Sequence, residues 1–369
     1  MKIYLSQNVF DAALDRIRWL FDEFPNVLVN ISGGKDSTVV LNLALKVAEE
    51  TERLPLNVMF IDQEAEWQTV IDHIRIIMAD PRVKPYWLQV PIKIFNATST
   101  IEPWLYCWEE GKEWIREKEP SSIHMNKYGT DRFKMLFGKF MEVEFPHQKA
   151  CHLGGVRCDE SPSRWIGLTG AATYKDATWG SIDSKTQQHF AFYPIYDWGL
   201  GDVWKAIHDN SWSYCPIYDY MYRCGVPLKN MRVSNLHHET AVVNLYRLQE
   251  IEFETWNKTA RRISGINTAG ILRDIGARCP DDLPTMFDNW WEYRDYLLEK
   301  LITNQKQKEK LKCDFDKYDN KYAEPAQNDL VVTEINCILT NDYHGTQLGN
   351  FATCHVPYDK NRIKTTMNE

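Results

Sequence analysis

Residues 27–37 read Val27-Leu28-Val29-Asn30-Ile31-Ser32-Gly33-Gly34-Lys35-Asp36-Ser37, and this order decides the fold. Val27 to Ile31 is a short run rich in β-branched residues, as expected of a buried strand. Ser32-Gly33-Gly34 interrupts it. Ser37 to Glu50 is then apolar nearly all round, as a buried helix is. Leu56 to Ile61 reads as a second buried strand, so strand, helix and strand form a βαβ unit with a right-handed crossover. The adjacent glycines let the backbone approach an anion, and the helix start offers free N–H groups and the positive end of its dipole. Lys35 adds a point charge, and Ser32 and Ser37 add hydroxyl donors. Together they make a phosphate cradle. A tight turn with a capping Ser or Asp would need neither the glycine pair nor the lysine. The loop is also not a Walker loop, which places four residues between its first Gly and the Gly-Lys-Ser/Thr.

The pattern extends on both sides. Val9, Leu14, Ile17, Leu20, Phe21 and Phe24 fall at helical spacing, and Pro25 ends that helix. A helix is predicted over about 67–79 and a strand over about 86–92. These elements predict an open, mainly parallel α/β sheet with flanking helices, whose ligands sit at the carboxyl ends of the strands. Asp62, after the second strand, falls at the same edge as the glycine turn. Residues 93–150, with Trp104, Trp108 and Trp114, read as an insertion or lid. Arg164 to Leu168 reads as a strand, Phe190 to Ile195 as another strand or an extended segment, and Gly201 to Asn210 as a short helix. From Ser234 long amphipathic helices dominate, which places a nucleotide-binding α/β domain at 1–230 and a mainly helical C-terminal domain at 231–369. Leu330 to Leu339 is the one late strand candidate.

Composition narrows the function classes. The chain has 369 residues, 44% hydrophobic and 25% charged, with 14 Trp and 18 Tyr, which fits a folded protein with a sizeable core. A net charge of −8 argues against non-specific coating of nucleic acid, which rests on clustered cations. The seven lysines between Lys300 and Lys321 are interleaved with acidic residues and read as a solvated helix face. Nine scattered cysteines suggest reduced thiols, and no run of 18 apolar residues suggests a membrane span, so a soluble cytoplasmic protein is expected.

Three further stretches bear on chemistry. Val58-Met59-Phe60-Ile61-Asp62 is followed by Glu64 and Trp67. Gly155-Val156-Arg157-Cys158-Asp159-Glu160-Ser161 supplies an arginine suited to bidentate grip on phosphate or sulfate, with Asp159 and Glu160 available to hold Mg²⁺ or to orient Arg157. Alone, such a trio is as readily a surface ion-pair cluster. Tyr193-Pro194-Ile195-Tyr196-Asp197-Trp198 precedes Asp202-Val203-Trp204. Trp198 and Trp204 are read as core residues, not adenine-stacking ones. His237-His238-Glu239 is read as a polar helix start, since no second ligand pair stands at metal spacing.

The loop resembles the Ser-Gly-Gly-x-Asp-Ser loop of the PP-loop, or N-type, ATP pyrophosphatases. With the other three stretches it is similar to the branch of phosphoadenosine-phosphosulfate (PAPS) reductases and small-subunit ATP sulfurylases, over about residues 27–220. The resemblance implies an adenine nucleotide α-hydrolase-like fold and ATP, or a related adenine nucleotide, as ligand. It places Ser32, Gly33, Gly34, Lys35, Asp36, Ser37, Asp62 and Arg157 at the nucleotide. Lys35, Arg157, Asp159 and Glu160 become the catalytic candidates, with Mg²⁺ at Asp159 and Glu160. The implied reaction is cleavage between the α- and β-phosphates, adenylylating an unidentified acceptor and releasing pyrophosphate, in sulfur metabolism or nucleic-acid modification.

Sulfonucleotide reductase activity is the alternative, but the Glu-Cys-Gly-His-type segment of reductases is missing. Cys354 in Ala352-Thr353-Cys354-His355-Val356 is the nearest substitute, and Cys279 lies in Ala277-Arg278-Cys279-Pro280. No Cys-x-x-Cys occurs, so an iron–sulfur cluster is not expected. The region from 234, with Trp256, Arg261, Arg262 and Gly265-Ile266-Asn267-Thr268, is similar in general appearance to phage- and prophage-borne PAPS-reductase-like proteins of the immunoglobulin-binding-regulator type. That similarity implies a third reading, a nucleotide-gated regulatory module with a ParB-like partner and indirect association with DNA.

Overall fold

The computed structural model describes residues 5–99, 101–182, 188–231, 233, 236–237, 245–267, 279–322 and 326–355. It comprises two compact units, one of Met1–Ile94, Trp104–Leu236 and Arg247–Ile263, the other of Phe95–Pro103, His237–Tyr246 and Ser264–Glu369.

The first unit is built on a sheet. Its strands are β1 (Asn26–Ile31), β2 (Leu56–Ile61), β3 (Val83–Leu88), β6 (Ala150–Leu153), β7 (Gly180–Ile182) and β8 (His189–Phe192), while β4 (Ile92–Phe95) and β5 (Trp104–Cys107) pair separately. The order is β3-β2-β1-β6-β8-β7, parallel except for the β7 edge. Val29 in β1 stands level with Val58 in β2 and Leu153 in β6, and all three are fully buried. The helices here are α1 (Val9–Glu23), α2 (Lys35–Glu50), α3 (Gln68–Met78), α4 (Phe133–Glu144), α5 (Pro162–Thr169), α6 (Leu200–Asp209) and α7 (Ile217–Arg223), followed by α8 (Leu245–Ile251) and α9 (Phe253–Arg262). Val39, Val40, Leu43, Ala44 and Val47 of α2 are wholly buried, which accounts for its apolar residues on every side. The order reverses between β1 and β6. That gap is the switch point at which the crossovers diverge and leave a crevice at the carboxyl ends of the strands.

The expected α/β sheet with flanking helices is present, and two predicted strands are not. Arg164–Leu168 lies inside α5. Ser161 caps that helix by accepting from the Arg164 N–H (3.3 Å), and Pro162 occupies its first turn, a start signal that outweighs a short apolar run. Leu330–Leu339 also belongs to a helix: Leu330, Val331, Glu334, Ile335 and Ile338 are buried at helical spacing despite their β-branched content. Conversely, β6, next to the centre of the sheet, closes the stretch read as an insertion. Among the described residues, the helices from residue 245 onward run from 7 to 15 residues, shorter than their sequence suggests.

The second unit holds α10 (Trp290–Leu301), α11 (Gln305–Asp319), α12 (Ala326–Leu339) and α13 (Thr346–Cys354). Asn289 and Asn304 cap α10 and α11. Arg294 of α10 is nearly buried and donates to Asp319 (2.8 Å) and to Glu334 of α12 (2.6 Å), with Asp295 alongside at 2.9 Å. Glu334 is completely buried and its Oε1 meets no hydrogen-bond partner. Burial pushes this carboxyl up from 4.5 to about 8 against the pull of Arg294. The folded chain thus keeps a proton that the unfolded chain sheds, so this group makes stability fall as pH rises from 4.5 towards about 8. Glu334→Gln should remove that slope. Urea titrations at about pH 5 and about pH 8 should show the variant gaining on the wild type at the higher pH, and an unchanging difference would contradict it.

Candidate active site

β1 runs into the Ser32–Ser37 loop with Gly33 at φ +72°, a conformation glycine accepts freely. A Cβ at Gly33 would also lie 2.6 Å from Val70 Cγ1 of α3. Ser37 Oγ donates to the Gly34 carbonyl (2.9 Å) and accepts from the Ser32 N–H (3.1 Å), closing the loop on itself. Gly155, after β6, sits on the first turn of α2, where a Cβ would come within 2.7 Å of the Asp36 carbonyl carbon and the Ser37 nitrogen.

Asp36 organises the charges. Its Oδ2 accepts from Lys35 Nζ (2.9 Å) and its Oδ1 from Arg157 Nε (2.6 Å). Arg157 is 4% exposed and also donates to Asp159 (2.5 Å), while its own N–H donates to Glu160 (3.3 Å), which pairs with Arg164. Lys35, Asp36, Arg157, Asp159 and Glu160 are thus joined in one chain of ion pairs and hydrogen bonds. The carboxylates of Asp159 and Glu160 are committed to guanidinium groups, which leaves a donor set unsuited to a resident Mg²⁺. Among the described residues no three His, Cys, Asp or Glu side chains are grouped to hold a metal ion.

Lys35, Asp36 and Glu160 line a cleft of about 280 Å³ at the switch point, whereas Arg157 and Asp159 do not line it and Arg157 reaches it through Asp36. Its polar lining includes Ser32, Gly34, Lys35, Asp36, Ser37 and Tyr218, and its apolar lining includes Met59, Phe60 and Ile61 of β2 and Phe133 and Phe137 of α4. Phe137 stacks on His152 (centroids 5.7 Å apart), whose Nδ1 lies 2.5 Å from Asn30 Nδ2.

Asp62 does not line this cleft, although its neighbours Ile61 and Gln63 do. It is wholly buried and accepts from Trp87 Nε1 (2.9 Å), Gln89 Nε2 (2.9 Å), the Glu64 N–H (3.0 Å) and Arg116. Glu64, also wholly buried and at φ +64°, accepts from the Trp108 N–H (2.7 Å) and from Arg262 (2.8 Å). Glu252 accepts from the N–H groups of Gln68 (2.6 Å) and Thr69 (2.9 Å) at the start of α3. Glu252 and Arg262 carry no motif that would single them out. Trp198 is buried and donates to the Val9 carbonyl, a core position as expected. His237 is buried in the second unit, and His238 and Glu239 lie outside the described residues. No described cysteine lines the cleft. Cys354 is exposed at the end of α13.

Residues 26–224, more than half of the chain, match the phosphoadenosine phosphosulfate reductase domain. The chain belongs to that family. Residues 225–334 match a domain of unknown function, DUF3440. The uncharacterized protein YbdN of Escherichia coli (strain K12) is 30% identical over 283 residues, 73% of this chain and 69% of that protein. Sulfate adenylyltransferase subunit 2 of Sulfurimonas denitrificans is 24% identical over 217 residues, 58% of this chain. The match covers 61% of that subunit, so the chain spans less than two thirds of its length. Candida glabrata FMN adenylyltransferase, solved with FAD and inorganic pyrophosphate, is 18% identical over 59% of this chain and 64% of its own, with a TM-score of 0.36. The family assignment agrees with the PP-loop resemblance and the parallel sheet. Among the described residues no helix is long and apolar enough to cross a membrane.

Gly155→Ala should cost about 1–3 kcal/mol, because the added methyl meets backbone, which cannot swing aside as a side chain can. Gly167, where an added methyl would meet nothing within 4 Å, serves as control. Denaturant midpoints check the pair, and equal midpoints would show that the first turn of α2 yields.

Proposed function

We propose that this protein binds ATP, or a closely related adenine nucleotide, in the switch-point cleft and transfers its adenylyl group to an acceptor with release of pyrophosphate. The observation that carries this reading is the tie of Lys35 and Arg157 to Asp36 at the start of α2. Lys35 and a helix N-terminus converge where a phosphate chain would lie against the glycine loop, with Arg157 bound behind them to Asp36. The apolar part of the lining, Met59, Phe60, Ile61, Phe133 and Phe137, suits a purine.

An acceptor oxygen attacks the α-phosphorus as the bond from that phosphorus to the bridging oxygen breaks, and the electron pair leaves with pyrophosphate. Lys35, Arg157 and the loop N–H groups stabilise the charge gathering on the leaving group. Asp159 and Glu160 orient Arg157, and magnesium enters as part of the nucleotide substrate. The chain needs no side-chain nucleophile, since positioning and charge supply the catalysis.

The family match favours sulfonucleotide reduction as a second reading, with Cys354 as the attacking thiolate. One assay separates them: pyrophosphate release from magnesium-ATP, with and without sulfate, and with DNA for an acceptor or partner linked to it. Release should fall at least about 100-fold in a Lys35→Ala, Asp36→Ala double variant and be untouched by Cys354→Ser. ATP binding without release would overturn adenylyl transfer, and sulfite formation from PAPS in the presence of a dithiol reductant, abolished by Cys354→Ser, would establish the reductase.

A further inference from the structure

Tyr218 lies about 180 residues from the loop in sequence and directly on it in space. Its Oη accepts from the backbone N–H of Lys35 at 3.0 Å, taking up a donor that a phosphate-binding helix start would otherwise present to its anion. A methyl at Gly34 would stand only 3.3 Å from the same oxygen, so the hydroxyl rests over the Gly34–Lys35 turn. The ring is held edge-on against Trp204 (centroids 5.3 Å apart, 86° between planes) and under Lys35 Nζ (5.5 Å). Tyr218 is 3% exposed, yet it lines the cleft between the loop and Val233. Burial raises its phenol well above the ordinary value, so the hydroxyl keeps its proton.

A phenol hydroxyl accepts and donates together. With its lone pair facing Lys35 N–H, its proton is turned away from α2. We propose that Tyr218 is a phosphate-binding residue: its hydroxyl takes the Lys35 N–H and donates its own proton to the pyrophosphate portion of the bound nucleotide. This rests on the reading of the loop as a pyrophosphate cradle. The helix start thereby contacts its anion through a side chain supplied by α7, and the two hydrogen bonds polarise one another.

The opposite reading is a plug, in which Tyr218 must leave before phosphate reaches the amide. The two differ in sign. Tyr218→Phe keeps the ring and removes the hydroxyl. Calorimetric titration with inorganic pyrophosphate should show affinity falling about 10- to 100-fold, the loss expected for a hydrogen bond to a charged group. Affinity for AMP, which lacks those phosphates, should stay within about twofold, whereas general distortion of the loop would weaken both. Trp204→Phe, which loosens the ring but spares the hydroxyl, should give a smaller loss in the same direction and keeps the test open if Tyr218→Phe folds poorly. Pyrophosphate binding that is unchanged or tighter in Tyr218→Phe would overturn the assignment and leave the cradle standing. A wild-type protein that binds no pyrophosphate would overturn the cradle, and the Tyr218 role with it.

Discussion

One carboxylate holds the polar wall of the cleft together. Asp36 stands on the first turn of α2, where the helix dipole already favours a negative charge, and from there it binds Lys35 beside it and Arg157 from beyond β6. Because Lys35 and Asp36 follow β1 and Arg157 follows β6, this bridge spans the gap where the strand order reverses. The close seat of Gly155 on the Asp36–Ser37 backbone fixes the distance, so the guanidinium meets the carboxylate with nearly all of its surface shielded from water. Burying an arginine is expensive unless its donors are satisfied. Here Asp36 and Asp159 accept from it, and the Trp198 carbonyl lies at the limit of hydrogen-bond distance, 3.5 Å.

The other side of the cleft depends on a different burial of charge. The loop after β2 turns through Glu64 in a left-handed conformation that a glutamate seldom adopts. Trp108 N–H and Arg262 hold the Glu64 carboxylate, while Trp87, Gln89 and Arg116 hold Asp62. Such pairs contribute little net stability because desolvation offsets their attraction, but removing one partner strands the other charge, so they define a single arrangement of the loop. That arrangement turns Asp62 inward and leaves Ile61, Gln63 and Glu66 along the cleft. The stretch that matches the domain of unknown function takes part, since Arg262 on α9 and Glu252 just before it belong to the same compact unit as the sheet.

Local signals make the first half of this architecture legible in sequence. Val27–Ile31, the glycine pair and the apolar helix after them carry their geometry within a few residues, and Arg157, Asp159 and Glu160 can be grouped because they are neighbours in the chain. What cannot be read is what depends on distant partners. β6 has four residues, too few for periodicity to show, and its place beside β1 is decided by pairing across more than a hundred residues. Asp62 looks like a ligand because carboxylates at strand ends commonly are; only the convergence of Trp87, Gln89 and Arg116 turns it into a structural anchor. Arg164–Leu168 and Leu330–Leu339 invite a strand reading because their β-branched or apolar residues speak to propensity, whereas the Ser161–Pro162 cap and the burial of one helical face decide the outcome.

A self-neutralised polar wall has a consequence for recognition. Lys35 is already paired with Asp36, so a phosphate chain entering the cleft would exchange one anionic partner for another and gain only the difference. Simple phosphate, which brings charge and nothing else, would gain little from that exchange. A nucleotide also brings a flat base, and the Met59–Ile61 strand end and the Phe133 and Phe137 rings present apolar surface that water solvates poorly. If the cleft takes a nucleotide as proposed, selectivity among phosphates would come from this apolar lining, while the charged lining would act on the transition state, where negative charge concentrates on the leaving group and the exchange with Asp36 becomes favourable.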